Sequence, residues 1–149
     1  MTKWLIIVLI LAFLIGSWSW VKPTADERRR VRLRNRAISK GLKVESVKGQ
    51  VRERFAKSGE GGLLMLYWAP WSAEAAVDRR ALLIPRRIEP GEENSAFPGA
   101  GALPELSGAF KGWLADQRGI GFVWDESATI DDLEKPMSWA LKIAEGVGH

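Results

Sequence analysis

The sequence predicts an α+β protein: a single N-terminal transmembrane helix, a basic juxtamembrane helix, and a small, mostly antiparallel sheet with helices packed on it. Three observations carry this expectation. Residues 4–21 form an eighteen-residue stretch without a charge. Six arginines then fall within the nine positions 28–36. Beyond residue 42, short apolar runs alternate with Gly/Pro-rich turns and stretches of helical periodicity. The implied organisation is an anchor over 1–21, a basic helix over 22–41 and a soluble domain over 42–149.

At about 1.5 Å per residue, a helix over 4–21 reaches roughly 27 Å, close to the ~30 Å hydrocarbon core of a bilayer. A core helix should keep a polar face, and WLIIVLILAFLI has none. Trp4 stands at one end and Trp18 and Trp20 at the other, and the helix stops at Lys22-Pro23. Trp4, Trp18, Trp20 and Lys22 are therefore the expected membrane-interface residues. The competing reading is a cleaved signal peptide, with Lys3 as its basic start and a cut after Ser17-Trp18-Ser19. Charge asymmetry favours a retained anchor, since one base precedes the run and nine follow within 22 residues. Positive charge stays cytoplasmic, which puts the N-terminus outside and the C-terminal domain inside.

Thr24-Ala25-Asp26-Glu27 matches a capping box, so a second helix should run from there to Lys40, with Gly41 just past its end. Its arginines point in all directions, and Val31, Ile38 and Leu42 form only a thin apolar stripe. Such a helix should stay out of the core. The plainer reading is a solvated linker helix that fixes topology. Alternatively Arg28, Arg29, Arg30, Arg32, Arg34 and Arg36 contact anionic lipid headgroups, at about 1 kcal/mol per nearby base, or a partner. Residues 22–43 carry nine bases and two acids, a net +7, while residues 44–149 carry a net −4. The high isoelectric point is thus local. A general nucleic-acid binder should carry basic surface on the domain itself, so nucleic acid is disfavoured as a partner.

In the domain, Leu42, Val44 and Val47 suggest a strand, followed by a helix around 51–57 and a turn at Ser58-Gly59-Glu60-Gly61-Gly62. LLMLYWAPW, residues 63–71, reads as a buried strand ending at Pro70. ALLIP, residues 81–85, reads as an edge strand guarded by Arg79-Arg80 and Arg86-Arg87. Residues 89–102 form a polar loop longer than ordinary connections, as mobile or functional loops are. Leu103, Leu106, Phe110, Trp113 and Leu114 recur at helical spacing, with Gly119 as the stop. Residues 120–124 read as a strand. A last helix places Ile130, Leu133, Met137, Ala140, Leu141 and Ala144 on one face, with Pro136 either kinking it or opening a second helix. The expected order is β, α, β, β, α, β, α, with the helices on one face of the sheet.

Chemistry-bearing patterns are sparse. There is no cysteine, and the single histidine is the last residue, His149, so no thiolate site, His-based metal cluster or Ser-His-Asp relay is expected. Asp125, Glu126, Asp131, Asp132 and Glu134 lack the spacing of a calcium loop and suit the N-terminus of a helix instead. Gly59-Glu60-Gly61-Gly62 and Gly99-Ala100-Gly101 lack the spacing and lysine of phosphate loops. No catalytic, metal or cofactor-binding residue and no small-molecule substrate follow. Tyr67, Trp68 and Trp71 are possible interaction aromatics, set against the reading that they belong to the core.

One resemblance is carried by residues 1–45. A short anchor, Lys22-Pro23, a charged helix and the strand start Lys40-Gly41-Leu42-Lys43-Val44 resemble YajC, the small accessory subunit of the bacterial preprotein translocase. The pattern Pro23, Arg28, Leu33-Arg34, Ala37, Gly41-Leu42 is similar to that of uncharacterised single-pass proteins of bacterial inner membranes. The resemblance implies residence in that membrane. The leading expectation is a non-enzymatic accessory or assembly subunit of a larger membrane-protein complex, in contact with anionic lipid. A lipid- or nucleic-acid-binding protein acting through the Arg-rich helix, and a YajC-like translocase accessory, are the alternatives. A membrane-bound enzyme using carboxylates or Ser is weaker still, since no spacing predicts its site.

Overall fold

The computed structural model describes residues 1–56, 61–106 and 108–146. The chain forms two compact units, one over residues 1–31 and one from Arg32 onward. Among the described residues the fold is α+β, with four α-helices and a five-stranded antiparallel sheet.

In the first unit, α1 spans Thr2–Trp20 and buries no side chain. Its 19 residues give roughly 28 Å of rise, and it is long and apolar enough to cross a membrane. Helix α2, Ala25–Ser39, opens on the expected capping box. Thr24 Oγ1 accepts from the Glu27 amide at 3.2 Å, and Glu27 Oε2 accepts from the Thr24 amide at 2.8 Å. Asp26 pairs with Arg29 at 2.6 Å and Arg30 at 3.0 Å within the same turns. At the far end Gly41 takes φ +97°, the left-handed conformation of a helix-ending glycine. The boundary between the compact units falls inside α2 rather than at residue 21 or 41.

The second unit holds β1 (Lys43–Ser46), α3 (Gly49–Phe55), β2 (Met65–Pro70), β3 (Arg86–Ile88), β4 (Phe110–Ala115), β5 (Gly119–Trp124) and α4 (Ile130–Ala144). The strand order is β1-β2-β5-β4-β3, and every neighbouring pair is antiparallel. One face carries Tyr67, Phe122 and Trp113 in register across β2, β5 and β4. Leu33 and Ala37 of α2, Leu133, Met137 and Ala140 of α4, and Leu82, Phe97 and Leu103 belong to the same core. The opposite face carries Leu66, Val123 and Leu114, clustered with Phe55 of α3. Helical residues therefore back both faces, not one. Truncating one of the buried aromatics costs about 3–5 kcal/mol, a large share of the ~5–15 kcal/mol that holds a domain.

Four expectations need correction. The segment 103–114 is no helix: a 3₁₀ turn at Ala100–Ala102 is followed by residues 103–106 without regular structure and a turn at 108–109, and residues 110–115 are β4. Gly108 at φ +68° interrupts any helix there, and Phe110, Trp113 and Leu114 suit a pleated, half-buried surface. Gly119 does not end a helix but opens β5. The two strands meet in a tight turn in which Asp116 Oδ1 accepts from the Arg118 and Gly119 amides at 2.8 and 3.2 Å. ALLIP is a turn. Asp78 accepts from the Arg80 and Ala81 amides, Leu82 is buried, and the edge strand begins only at Arg86. The second half of α2 does enter the core, through Leu33 and Ala37, while Val31 and Ile38 are exposed.

The 89–102 loop is tied down by Phe97, whose ring lies 5.7 Å from that of Trp71. Helix α4 is a single helix with Pro136 inside it, capped by Thr129 and Asp132. The strand expected at 42–47 and the helix at 51–57 correspond to β1 and α3. Residues 57–60, with most of the turn expected at 58–62, and His149 lie outside the described residues.

Gly121 sets a sharp test of the β2–β5 contact. A Cβ there would run into the Tyr67 carbonyl oxygen and lie 2.6 Å from Cα of Trp68, so strands would have to part. Gly41 has open space around it and only its positive φ to lose. Gly121→Ala should cost more than about 3 kcal/mol and Gly41→Ala about 1 kcal/mol. Thermal unfolding followed by circular dichroism reads the difference; equal midpoints would show that the β2–β5 approach is looser than described.

Candidate functional site

The most constrained polar group lies at the end of β5. Glu126 is 1% exposed and sits at φ +60°, a left-handed conformation that few non-glycine residues adopt. Its carboxylate receives Arg34 Nε and Nη2 in a two-pronged pair, each at 2.7 Å, and the Tyr67 hydroxyl at 2.7 Å. Two residues on, Arg36 pairs with Glu134 at 2.7 Å. Burying a carboxylate is costly without a cation and hydrogen bonds, and this site supplies both. Removing a partner from a buried pair costs about 3–5 kcal/mol; with Arg34 32% exposed, the lower end applies. The pair fastens the second half of α2 to the sheet.

The six arginines of α2 thus divide. Arg34 and Arg36 are committed to Glu126 and Glu134, and Arg29 and Arg30 to Asp26. Arg28 and Arg32 are exposed, and their side chains make no hydrogen bond or ion pair among the described residues. Only these two keep their guanidinium groups unengaged for lipid headgroups or a partner. On α1, Trp4, Trp18 and Trp20 are exposed, as is Lys22 beyond its end.

Two of the three possible interaction aromatics lie in the core. Tyr67 is fully buried, edge-on to Trp124 at 5.1 Å, and Trp71 is buried with its indole N–H donating to the Asp116 carbonyl at 2.8 Å. The period of β2 explains this: residues 65, 67 and 69 face the larger core, and Trp68 faces the other way. Trp68 is half-buried, with the Arg118 guanidinium 4.9 Å and the Lys43 ammonium 5.6 Å from its ring.

Of the five acids near α4, four are engaged and Asp131 is exposed. Asp125 accepts from the Ser127 amide, Glu126 and Glu134 are paired, and Asp132 closes the cap on Thr129. The Thr129 hydrogen bonds hold the Asp132 carboxyl below its ordinary range. No cluster of three His, Cys, Asp or Glu residues able to hold a metal occurs among the described residues. A hollow of about 370 Å³ beside α4 is lined by Leu106, Phe110, Asp132 and Lys135 among others. Its aspartate is spent on the cap, and the other carboxylate of its lining, Glu105, is exposed.

Glu126 and Glu134 are the site residues that sequence reasoning missed. The only available signal was the bases of α2 opposed in sign by acids more than 90 residues later, and spacing cannot turn that into a pair. Comparison with known protein families, with characterised proteins and with solved structures finds no match.

Tyr67 is the chain's only tyrosine, which makes the buried network readable. Burial, reinforced by the Glu126 anion, pushes its hydroxyl well above the usual 10. Below about pH 10 the proton is held in folded and unfolded chains alike. Above it the unfolded chain releases a proton that the folded chain keeps, so stability falls as pH rises. Tyrosinate absorbance should therefore appear only together with alkaline unfolding. Ordinary titration of Tyr67 near pH 10 in the folded protein would contradict the burial and the Glu126 bond.

Proposed function

We propose that the chain is a single-pass, membrane-anchored and non-enzymatic accessory or assembly subunit of a membrane-protein complex, set in a bacterial inner membrane with its N-terminus outside and its C-terminal domain in the cytoplasm. The observation that carries this reading is α1: nineteen residues, none buried, with exposed tryptophans near both ends and the arginines of α2 soon after. Water around so much apolar surface would cost far more than the domain's stability can offset, and a lipid core removes that cost. The exposed arginines add the asymmetry that sets orientation. Action through binding suits a domain whose Glu126, Asp132 and Glu134 are taken up in a cap and ion pairs. A place beside the preprotein translocase, as the YajC-like N-terminus implies, is the narrower form of the same proposal.

Affinity purification from membranes in mild detergent should bring larger membrane proteins along with the chain. A monodisperse monomer, even after crosslinking, would sink the subunit reading. The anchor itself is tested by Ile10→Arg/Leu11→Arg. At about 2.5–3.5 kcal/mol per arginine at the helix centre, insertion should fail and the chain should leave the membrane fraction. Mature protein shortened past Ser19 would replace the anchor with a signal peptide, and a domain digested by protease added from outside would overturn the cytoplasmic placement.

A further inference from the structure

The loop at residues 79–87, RRALLIPRR, has a structure its sequence did not disclose. Leu82 is fully buried, whereas the next two side chains, Leu83 and Ile84, are 64% and 69% exposed. The feet of the loop are fastened. Arg79 donates to the Ser72 carbonyl at 3.2 Å, Arg54 to the Pro85 carbonyl at 2.7 Å, and Arg87 pairs with Glu89 at 2.8 Å. Asp78 is occupied by the Arg80 and Ala81 amides. Arg80 and Arg86, on either side of the tip, are exposed and make no side-chain hydrogen bond or ion pair among the described residues. An apolar pair held out in water between two unengaged cations is a combination that demands a counterpart.

We propose that this loop docks onto an anionic lipid surface, with Leu83 and Ile84 entering the interface and Arg80 and Arg86 meeting the headgroups. Lipid fits better than protein on size and charge. Two side chains offer far less than the ~800 Å² per partner of a stable protein interface, while shallow insertion into the headgroup boundary needs little apolar area when cations accompany it. The cytoplasmic leaflet carries the negative surface potential that such cations seek. The inference rests on the reading of α1 as a membrane anchor with the domain on the cytoplasmic side.

Because the chain has no cysteine, single cysteines can report on separate positions in the full-length protein. Leu83→Cys, Gln117→Cys and Leu11→Cys, each carrying an environment-sensitive fluorophore, are reconstituted into vesicles of phosphatidylcholine alone or mixed with phosphatidylglycerol. The Leu83 label should be shielded from a water-soluble quencher in the anionic vesicles and exposed in the neutral ones, with the Gln117 label exposed in both. Arg80→Gln/Arg86→Gln should cut the ratio of shielded to exposed Leu83 label about 25-fold, roughly fivefold for each arginine. A Leu83 label exposed in both vesicle types while the Leu11 label is shielded overturns the loop contact and leaves the anchor standing. An exposed Leu11 label overturns both. Shielding of Leu83 that ignores lipid charge or the arginine replacements assigns the loop to a protein partner or a second copy, and overturns the proposal as well.

Discussion

Glu126 is the constraint around which the second unit is organised. A carboxylate with 1% exposure is costly to bury unless a cation and hydrogen bonds replace its water, and here both are supplied at 2.7 Å. The cation comes from Arg34, 92 residues away in sequence. Such a pair adds little net stability beyond what an apolar replacement would give. What it adds is choice. A slip of α2 by one residue would turn Arg34 by about 100° and take Leu33 and Ala37 off the core. The unfavourable backbone at Glu126 persists because its carboxylate is held from two sides. Which arginine of the collar meets the sheet is thus settled by one buried anion.

The two faces of the sheet follow from parity, with one break. Along β2 and β5 alternate residues face alternate cores, and Gly121 makes room for Trp68 to cross on the smaller side. In β4 the register shifts between Phe110 and Gly112. That extra residue brings Phe110 and Trp113, an odd number of positions apart, to the same face, opposite Trp124 and Phe122. Gly112, at φ +145°, then gives Phe55 of α3 the space to lie against the strand.

Legibility in the sequence tracks how local the deciding physics is. Thr24, Glu27, Gly41 and Pro70 act within a turn or two of themselves, and the structure has the helix start, helix end and strand end they imply. The bulge in β4 is not local in that sense. It erases the alternation by which a strand is recognised and leaves Leu103, Leu106, Phe110, Trp113 and Leu114 looking helical. In ALLIP, hydropathy alone cannot say that Leu82 turns inward while Leu83 and Ile84 turn out. Parity along β2 could have placed Tyr67 and Trp71 together and opposite Trp68. Glu126 could not have been found, because its burial is created by elements far apart in the chain.

The arginine collar shows two kinds of information in one segment. Orientation in a membrane depends on how many positive charges lie near the end of a span and hardly on which positions hold them; lysine serves as well as arginine. Packing depends on position and on shape, since Glu126 accepts a planar fork that no ammonium can imitate. If α1 is the proposed anchor, Arg28 and Arg32 belong to the first kind, their side chains exposed and unengaged among the described residues, while Arg34 belongs to the second. The excess of charge that looks redundant in composition is therefore divided. On that reading Arg28 and Arg32 carry a signal that tolerates exchange, and Arg34 carries a contact that does not.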